Sequence, residues 1–591
     1  MYLDLRALIS DLERQGDLVR IKCEVDPDQE VTIIQHRVIA AGGPALLFER
    51  VKGSPYRLVS NLFGTARRVA LACGAPPREL GDRLAHIAKH LMPPSLKGVW
   101  QIRHDLKRLL PVRLRRLDHG PILARTITPP DLRQLPVLTC WPEDGGAFFT
   151  LPLVHTVDPE TGQGNLGIYR LQRFDAASTG MHWQIEKGGG FHFDKAVRSG
   201  RPLPVSVILG GPPALIIAAV APLPEGLDER LLAAYLMGAP LDVIDRKGTG
   251  HRIPSRAEFV LEGEVCPGDV RREGPFGDHF GHYSEAADYP VFRVRRILSR
   301  KNAIYPATVV GKPVQEDYFI GEALQEIALP MLHMVKPAIV DLWAYPESGF
   351  HPLAVMAVRQ RYPREALKLT LGMLGEGQVS LTKVMITVGA EVNVRDFRAV
   401  SEALWRYLTP DGVHLLAPTA QDTLDFTGPA MNTGSRLILM ATGPDKAVGR
   451  SRPSSLRPEA EALHPGVRGV TEYGPAFLVA QVKEGFEDVE ALFTAMRHHP
   501  GAKDFLFHVV VSEDVPLHDP VMLLWGWFTR FDPAADLHPA QRTVRGNRLV
   551  LEFPIAIDAR WKKGYPRPVS FDPEVVRRVD ARWDAYGIKI D

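Results

Sequence analysis

The chain has 591 residues, too many for one compact domain, with 45% hydrophobic and 24% charged residues, an ordinary globular composition. Lys and Arg total 71 against 69 Asp and Glu, a formal net charge of +2, and so near a balance argues against nucleic acid as the main partner. Four cysteines, Cys23, Cys73, Cys140 and Cys266, stand far apart with no CxxC or zinc spacing, so they read as thiols of a reducing, cytoplasmic compartment.

The N-terminus opens on an amphipathic helix with Leu5, Leu8, Ile9 and Leu12 on one face. It stops at Gly16 and gives way to a strand at Leu18-Val19-Arg20-Ile21, which is mature structure and not a signal peptide. Helical and strand patterns alternate through the first hundred or so residues, as in a small α/β unit. The basic stretch 103–116 reads as a solvated helix and loop, with a peripheral membrane or inter-subunit role as its alternative. From about Pro130 the texture turns to short β-branched runs between Gly and Pro, which predicts a barrel or sandwich. Within it, 205–224 is long and nearly uncharged, but Gly210-Gly211-Pro212-Pro213 divides it, predicting two short buried strands rather than a membrane span. After about Pro313 longer helical patterns return between strands, so a second α/β domain is expected. Residues 383–410 and 506–533 look like two copies of one unit, each a strand, an acidic turn, a capping Asp (Asp396, Asp519) and a helix ending in aromatics. Chance similarity between two βα units is the alternative. A last helix starts at Asp572-Pro573, carries Val576, Val579, Trp583 and Tyr586 on one face and stops at Gly587, so it is expected to dock, a partner subunit being one candidate.

Four segments set polar groups among Gly, Pro and apolar residues. Asn165 and Arg170 flank Leu166-Gly167-Ile168-Tyr169, and the guanidinium suits a carboxylate or phosphate. His182-Trp183-Gln184 leads to Glu186-Lys187 and to Gly188-Gly189-Gly190, whose backbone can approach a phosphate. Glu225, Asp228 and Glu229 follow an apolar run, and Glu229 with Asn165 offers oxygens to a hard divalent ion. Glu273 and Asp278 are separated by a rigid Gly-Pro-Phe-Gly turn and form a carboxylate pair able to split acid and base roles. His279 and His282 raise a metallohydrolase alternative, though no third ligand stands at a familiar spacing.

Together these segments resemble the UbiD family of decarboxylases. The resemblance begins at 43–49 (GPALLFE) and 61–65 (NLFGT). It continues through 138–142 (LTCWP), NLGIYR, PLPEG, EGPFGD and Leu381-Thr382-Lys383, and includes 572–583. It implies an α/β plus β fold: an N-terminal α/β unit (1–120), a flavin-reductase-like split β-barrel that binds the cofactor (121–310) and a C-terminal α/β domain (311–445). The added lobe with the second copy is then 446–545, and 546–591 returns to the C-terminal domain and the terminal docking helix. The implied cofactors are prenylated FMN, supplied by a separate flavin prenyltransferase, with Mn²⁺ and K⁺. The implied assembly is a homodimer or homohexamer in which the terminal helix reaches the neighbour.

Residue by residue, Asn165, Glu186 and Glu229 match the metal site. Ile168, Tyr169, Arg170, His182, Trp183, Gln184, Lys187, Gly188 and Lys383 match cofactor contacts. Arg170, Glu273 and Asp278 match the catalytic trio, with Asp278 as proton donor. Glu186 departs from the pattern, since many members carry histidine there, and it adds negative charge beside a phosphate. The implied substrate is an aromatic carboxylic acid, led by a polyprenyl-hydroxybenzoate-type intermediate of quinone biosynthesis. The alternatives are a decarboxylase or reversible carboxylase of other phenolic, heteroaromatic or acrylic acids, or a catalytically silent subunit. As donor, Asp278 must be protonated near neutral pH, and burial by Phe276 and Phe280 is expected to raise its pKa.

Overall fold

A computed structural model describes residues 1–91, 95–183, 188–223, 226–442, 449–453 and 459–590. They divide into two units: Met1–Pro330 with Arg567–Asp591, and Met331–Pro566.

In the first unit, Leu5, Leu8, Ile9 and Leu12 are the buried face of the helix Leu5–Arg14, which Asp4 caps by accepting from the Ala7 N–H at 3.0 Å. A four-stranded sheet follows in the order Leu18–Val25, Ala45–Val51, Arg57–Ser60 and Ile304–Pro306. Its last strand comes from far along the chain and pairs parallel with Arg57–Ser60.

The central sheet is antiparallel and seven-stranded, built on the long strands Phe259–Glu273 and Ala287–Ser299. Alternation of side chains puts Val205, Val207, Phe259 and Leu261 into one core and Ile208, Val260 and Leu298 into the other. The hydrogen-bonded path runs from Ser178–Gly180 to Gly164–Ile168, and no closed barrel is seen among the described residues.

The segment 205–224 is not two strands. Leu203–Leu209 is a strand, Gly210 and Gly211 turn at φ +75° and +114°, and Pro213–Ala219 is a wholly buried helix. Pro suits the first helical turn, and a short run that is apolar on every side carries no period to separate helix from strand. The terminal helix lies in the same unit. Pro573–Ala581 and the following turn pack on the helix Glu30–Ala40 of their own chain, with Tyr586 donating to the buried Glu30 Oε1 at 2.6 Å and Arg582 pairing with it at 2.9 Å.

The second unit holds two five-stranded sheets of identical pattern: antiparallel, parallel, parallel, antiparallel. The first runs Ile339–Ala344, Leu353–Val358, Val384–Gly389, Thr433–Ala441, Val413–Ala420. The second runs Val467–Tyr473, Phe477–Val482, Phe507–Ser512, Arg548–Ala559, Leu537–Arg545. Arg548–Ala559, in the segment expected to return to the preceding domain, thus belongs to the second sheet. Asp396 and Asp519 cap equivalent helices, and Leu506 stands at the foot of its strand where Lys383 stands in the other. One core spans both sheets, with Trp527 lying 4.7 Å from the Phe477 ring and 5.9 Å from Phe397. Trp527→Ala should therefore cost about 3–5 kcal/mol, read as a lowered denaturation midpoint of this unit by near-UV circular dichroism. A loss below about 1 kcal/mol would contradict the shared core.

Candidate active site

Arg170 follows the strand Gly164–Ile168, which ends the central sheet, and its side chain is nearly buried. Its Nε donates to Glu273 Oε1 at 3.2 Å, one Nη donates to Asp278 Oδ2, and its guanidinium lies 4.8 Å above the Phe276 ring. Glu273 is the last residue of the strand Phe259–Glu273 and is fully buried. Its Oε1 also accepts from His182 Nδ1 at 2.9 Å, while His182 lies against the Tyr289 ring at 4.2 Å. Glu273 Oε2 is buried without a partner, and a Cβ at Gly180 would stand 2.3 Å from it. Glycine at 180 is thus what leaves room for this carboxylate.

The turn from Glu273 to Asp278 is fixed by residues that the sequence reading missed. Gln172 Oε1 accepts from the Gly274 N–H at 2.8 Å, and Gln172 Nε2 donates to Gly145 O at 2.6 Å. Asp144 Oδ1 accepts from the Gly277 N–H at 2.8 Å, and its Oδ2 accepts from the Cys140 and Trp141 N–H groups at 3.0 and 2.9 Å. Burial pushes the Asp144 carboxyl up to about 7, outweighing these three bonds and the Arg170 charge. Gln172 has a weak signal, since alternation along an extended chain puts it on the same side as Arg170; Asp144 has none beyond its Gly-rich turn.

Asp278 Oδ1 accepts from the backbone N–H of His279 at 2.8 Å and from its ring Nδ1 at 3.0 Å. Burial alone would raise its pKa, but the His279 bond and the Arg170 charge outweigh it and hold the carboxyl well below the usual range. The expected rise is therefore corrected: Phe276 and Phe280 are buried, but Phe276 carries the Arg170 guanidinium beside this carboxylate, and that charge with the His279 bond favours the ionised form. A lowered pKa makes this carboxylate's contribution to stability fully present above the ordinary carboxylate pKa and lost as pH falls from there through the lowered one. His282 is buried, its Nδ1 2.9 Å from Phe280 O.

A second cluster joins Asn165, Tyr169, Trp183, Gly188 and Glu229. Glu229 begins the helix Glu229–Met237, and its Oε2 accepts from the Leu166 N–H at 2.9 Å. Burial pushes its carboxyl up to about 7. Asp228 supports it through two residues the sequence did not single out: Asp228 pairs with Arg230 at 2.6 Å, Arg230 donates to His155 Nε2 at 3.0 Å, and His155 Nδ1 donates to Asn165 O at 2.9 Å. Asn165 Nδ2 and Trp183 Nε1 are buried without partners. A Cβ at Gly188 would stand 2.2 Å from Asn165 Oδ1, and one at Gly189, whose N–H donates to Tyr169 OH at 3.1 Å, would stand 2.7 Å from Trp183 Nε1. The unpaired donors beside the start of the helix Gly188–Ser199 fit an anionic, phosphate-bearing group. The oxygens of Asn165 and Glu229 fit a hard divalent ion, whose charge would offset the buried carboxylate. Gln184, Glu186 and Lys187 lie outside the described residues. No group of three His, Cys, Asp or Glu side chains suited to a metal occurs among the described residues. Ile168 closes its strand, and Lys383 lies in the second unit, buried and paired with Asp425 at 3.0 Å.

Family models for 3-octaprenyl-4-hydroxybenzoate carboxy-lyase match three stretches: the N-terminal domain at residues 9–88, the Rift-related domain at 115–313 and the C-terminal domain at 318–441. A Chlamydia pneumoniae protein named as a subunit of 4-hydroxybenzoate decarboxylase is 41% identical over 98% of this chain and 98% of its own. The chain belongs to the UbiD family. It is accordingly a carboxy-lyase, the activity its family models name. Among solved structures it is similar to the UbiD-class enzyme HmfF from Pelotomaculum thermopropionicum in complex with FMN, with TM-score 0.64 and 26% identity over 77% of this chain and 97% of that one. An evolved dimeric form of HmfF in complex with prFMN gives TM-score 0.63 and 26% identity over 76% and 97%.

The support under the UbiD turn is open to test. Asp144→Asn must set an amide NH₂ against backbone N–H donors, which should cost about 1–3 kcal/mol. Thermal unfolding should show the loss, and an unchanged melting temperature would mean that the turn is held by other contacts.

Proposed function

We propose that this UbiD-family enzyme decarboxylates an aromatic carboxylic acid beside Arg170, using prenylated FMN, with Asp278 as the proton donor. The observation that carries the reading is the buried Arg170 guanidinium bonded to both Glu273 and Asp278. Further support comes from the solved relatives, which are complexes with FMN and prFMN, and from the relative named for 4-hydroxybenzoate. We assign the cofactor to Ile168, Tyr169, Arg170, His182, Trp183, Gln184, Lys187 and Gly188, and Mn²⁺ to Asn165, Glu186 and Glu229, with K⁺ alongside. Bound there, prenylated FMN supplies an electron sink for the carbanion left when CO₂ departs.

The chain's own residues do the rest. Arg170 holds the substrate carboxylate with the fork that otherwise binds Asp278. Glu273 keeps the other edge of the guanidinium and fixes its direction. Once the substrate carboxylate takes over Arg170, Asp278 keeps the His279 bond but loses the Arg170 charge and gains a like charge beside it, which moves its pKa upward toward the protonated form. The acid needed after CO₂ loss is thus generated by substrate binding. Glu229 keeps Asn165 and the start of the helix Gly188–Ser199 in register for the phosphate and metal. As substrate we favour a polyprenyl-hydroxybenzoate-type acid of quinone biosynthesis.

Asp278→Asn keeps the turn's shape without a carboxylic proton. Turnover should fall by at least about 10²-fold, with flavin absorbance retained and deuterium incorporation from D₂O lost at the carbon that carried CO₂. Near wild-type deuteration would remove Asp278 as donor. Glu229→Ala should lower manganese and flavin together in the purified protein, by metal analysis and absorbance. Unchanged contents would withdraw the metal assignment.

A further inference from the structure

No helix among the described residues is long and apolar enough to cross a membrane, yet one surface segment has the chemistry of a membrane contact. The short helices Leu96–Gln101 and Arg103–Leu109 lie against the helix Pro77–Leu91. Gly98 and Ile102 form the inward line, one turn apart. A Cβ at Gly98 would stand 2.2 Å from His90 O, so the close approach requires glycine. The opposite line is Leu96, Trp100, Arg103, Lys107 and Leu110. Leu96 is 93% exposed, Trp100 67% and Leu110 70%, an uncommon display of large apolar side chains. Arg103 lies 4.5 Å above the Trp100 ring and ties the two helices.

The same segment is cationic. Lys97, Arg103, Lys107, Arg108 and Arg113 are exposed, and no carboxylate among the described residues pairs with them. Its one acid, Asp105, lies 3.1 Å from His86. On a chain of net charge +2, this is a local concentration of positive charge around an apolar centre.

We propose that residues 95–113 dock this protein on an anionic lipid surface. Trp100, Leu96 and Leu110 enter the headgroup boundary, while the cations meet lipid phosphates. Charge complementarity chooses this occupant. A second copy packed face to face would set the cations against themselves. A nucleic acid would meet the cations but leave exposed leucines with nothing to cover them.

The test uses the full chain with two kinds of vesicle, pure phosphatidylcholine and a mixture with phosphatidylglycerol. The protein should sediment with the mixed vesicles only, less so as salt rises. Lys107→Glu with Arg108→Glu should weaken this by at least about tenfold, and Leu96→Ala with Trp100→Ala should weaken it too, both with unchanged circular dichroism. The proposal is overturned if the mixed vesicles do not bind, if the variants bind like the parent, or if duplex DNA is bound in their place. It is also overturned if light scattering shows the variants losing an oligomer while vesicle binding is unchanged; the patch would then join copies of the chain.

Discussion

A guanidinium and two carboxylates removed from water are stable only if they compensate one another, because each buried ion carries a desolvation cost of several kcal/mol. Arg170, Glu273 and Asp278 meet this condition by sharing one positive charge between two acids, with side chains 8%, 0% and 14% exposed. His182 and His279 each add a hydrogen bond at the two outer ends, to Glu273 Oε1 and Asp278 Oδ1. The arrangement can also change: a third carboxylate arriving at Arg170 must displace one of the first two. Asp278 is the one that sits on a turn, whereas Glu273 is anchored in the sheet.

That difference comes from the scaffold. Glu273 ends a strand paired along most of its length with Ala287–Ser299, so its backbone is fixed by a ladder of hydrogen bonds. Asp278 has a shorter support: the bonds of Gln172 and Asp144 to its turn, the two-residue pairing of Phe276–Gly277 with Tyr283–Ser284, and its own N–H donating to His282 O at 3.1 Å. The metal-side cluster is built the same way: Asn165 stands on the last strand of the sheet, and the Asp228–Arg230–His155 chain ties it to the helix that begins with Glu229. Both clusters therefore hang from one antiparallel sheet with a core on each face.

In the second unit, two sheets with one pairing pattern share an aromatic core around Phe397, Phe477 and Trp527. The charge at the foot of the first copy, Lys383, is replaced by Leu506 in the second. Like Lys383 it is buried, but it packs into the shared core with no charge to pair.

Much was legible in the residues themselves. Helix starts at Asp396, Asp519 and Asp572 and the buried face of Leu5, Leu8, Ile9 and Leu12 follow from capping and periodicity, which act over a few residues, whereas the last helix ends at Ala581 and Gly587 closes only the short turn after it. The ordered motifs likewise marked the family. Tertiary structure decided what depends on distant partners. It made Pro213–Ala219 a helix because burial on all sides suits either form. It brought Ile304–Pro306 beside Arg57–Ser60 and laid the terminal helix on Glu30–Ala40. It recruited Asp144, Gln172 and His155, whose roles exist only once the chain returns upon itself. It also reversed the expected charge state of Asp278, because a carboxyl group's ionisation is set by the groups around it in space, and there the nearest are Arg170 and His279.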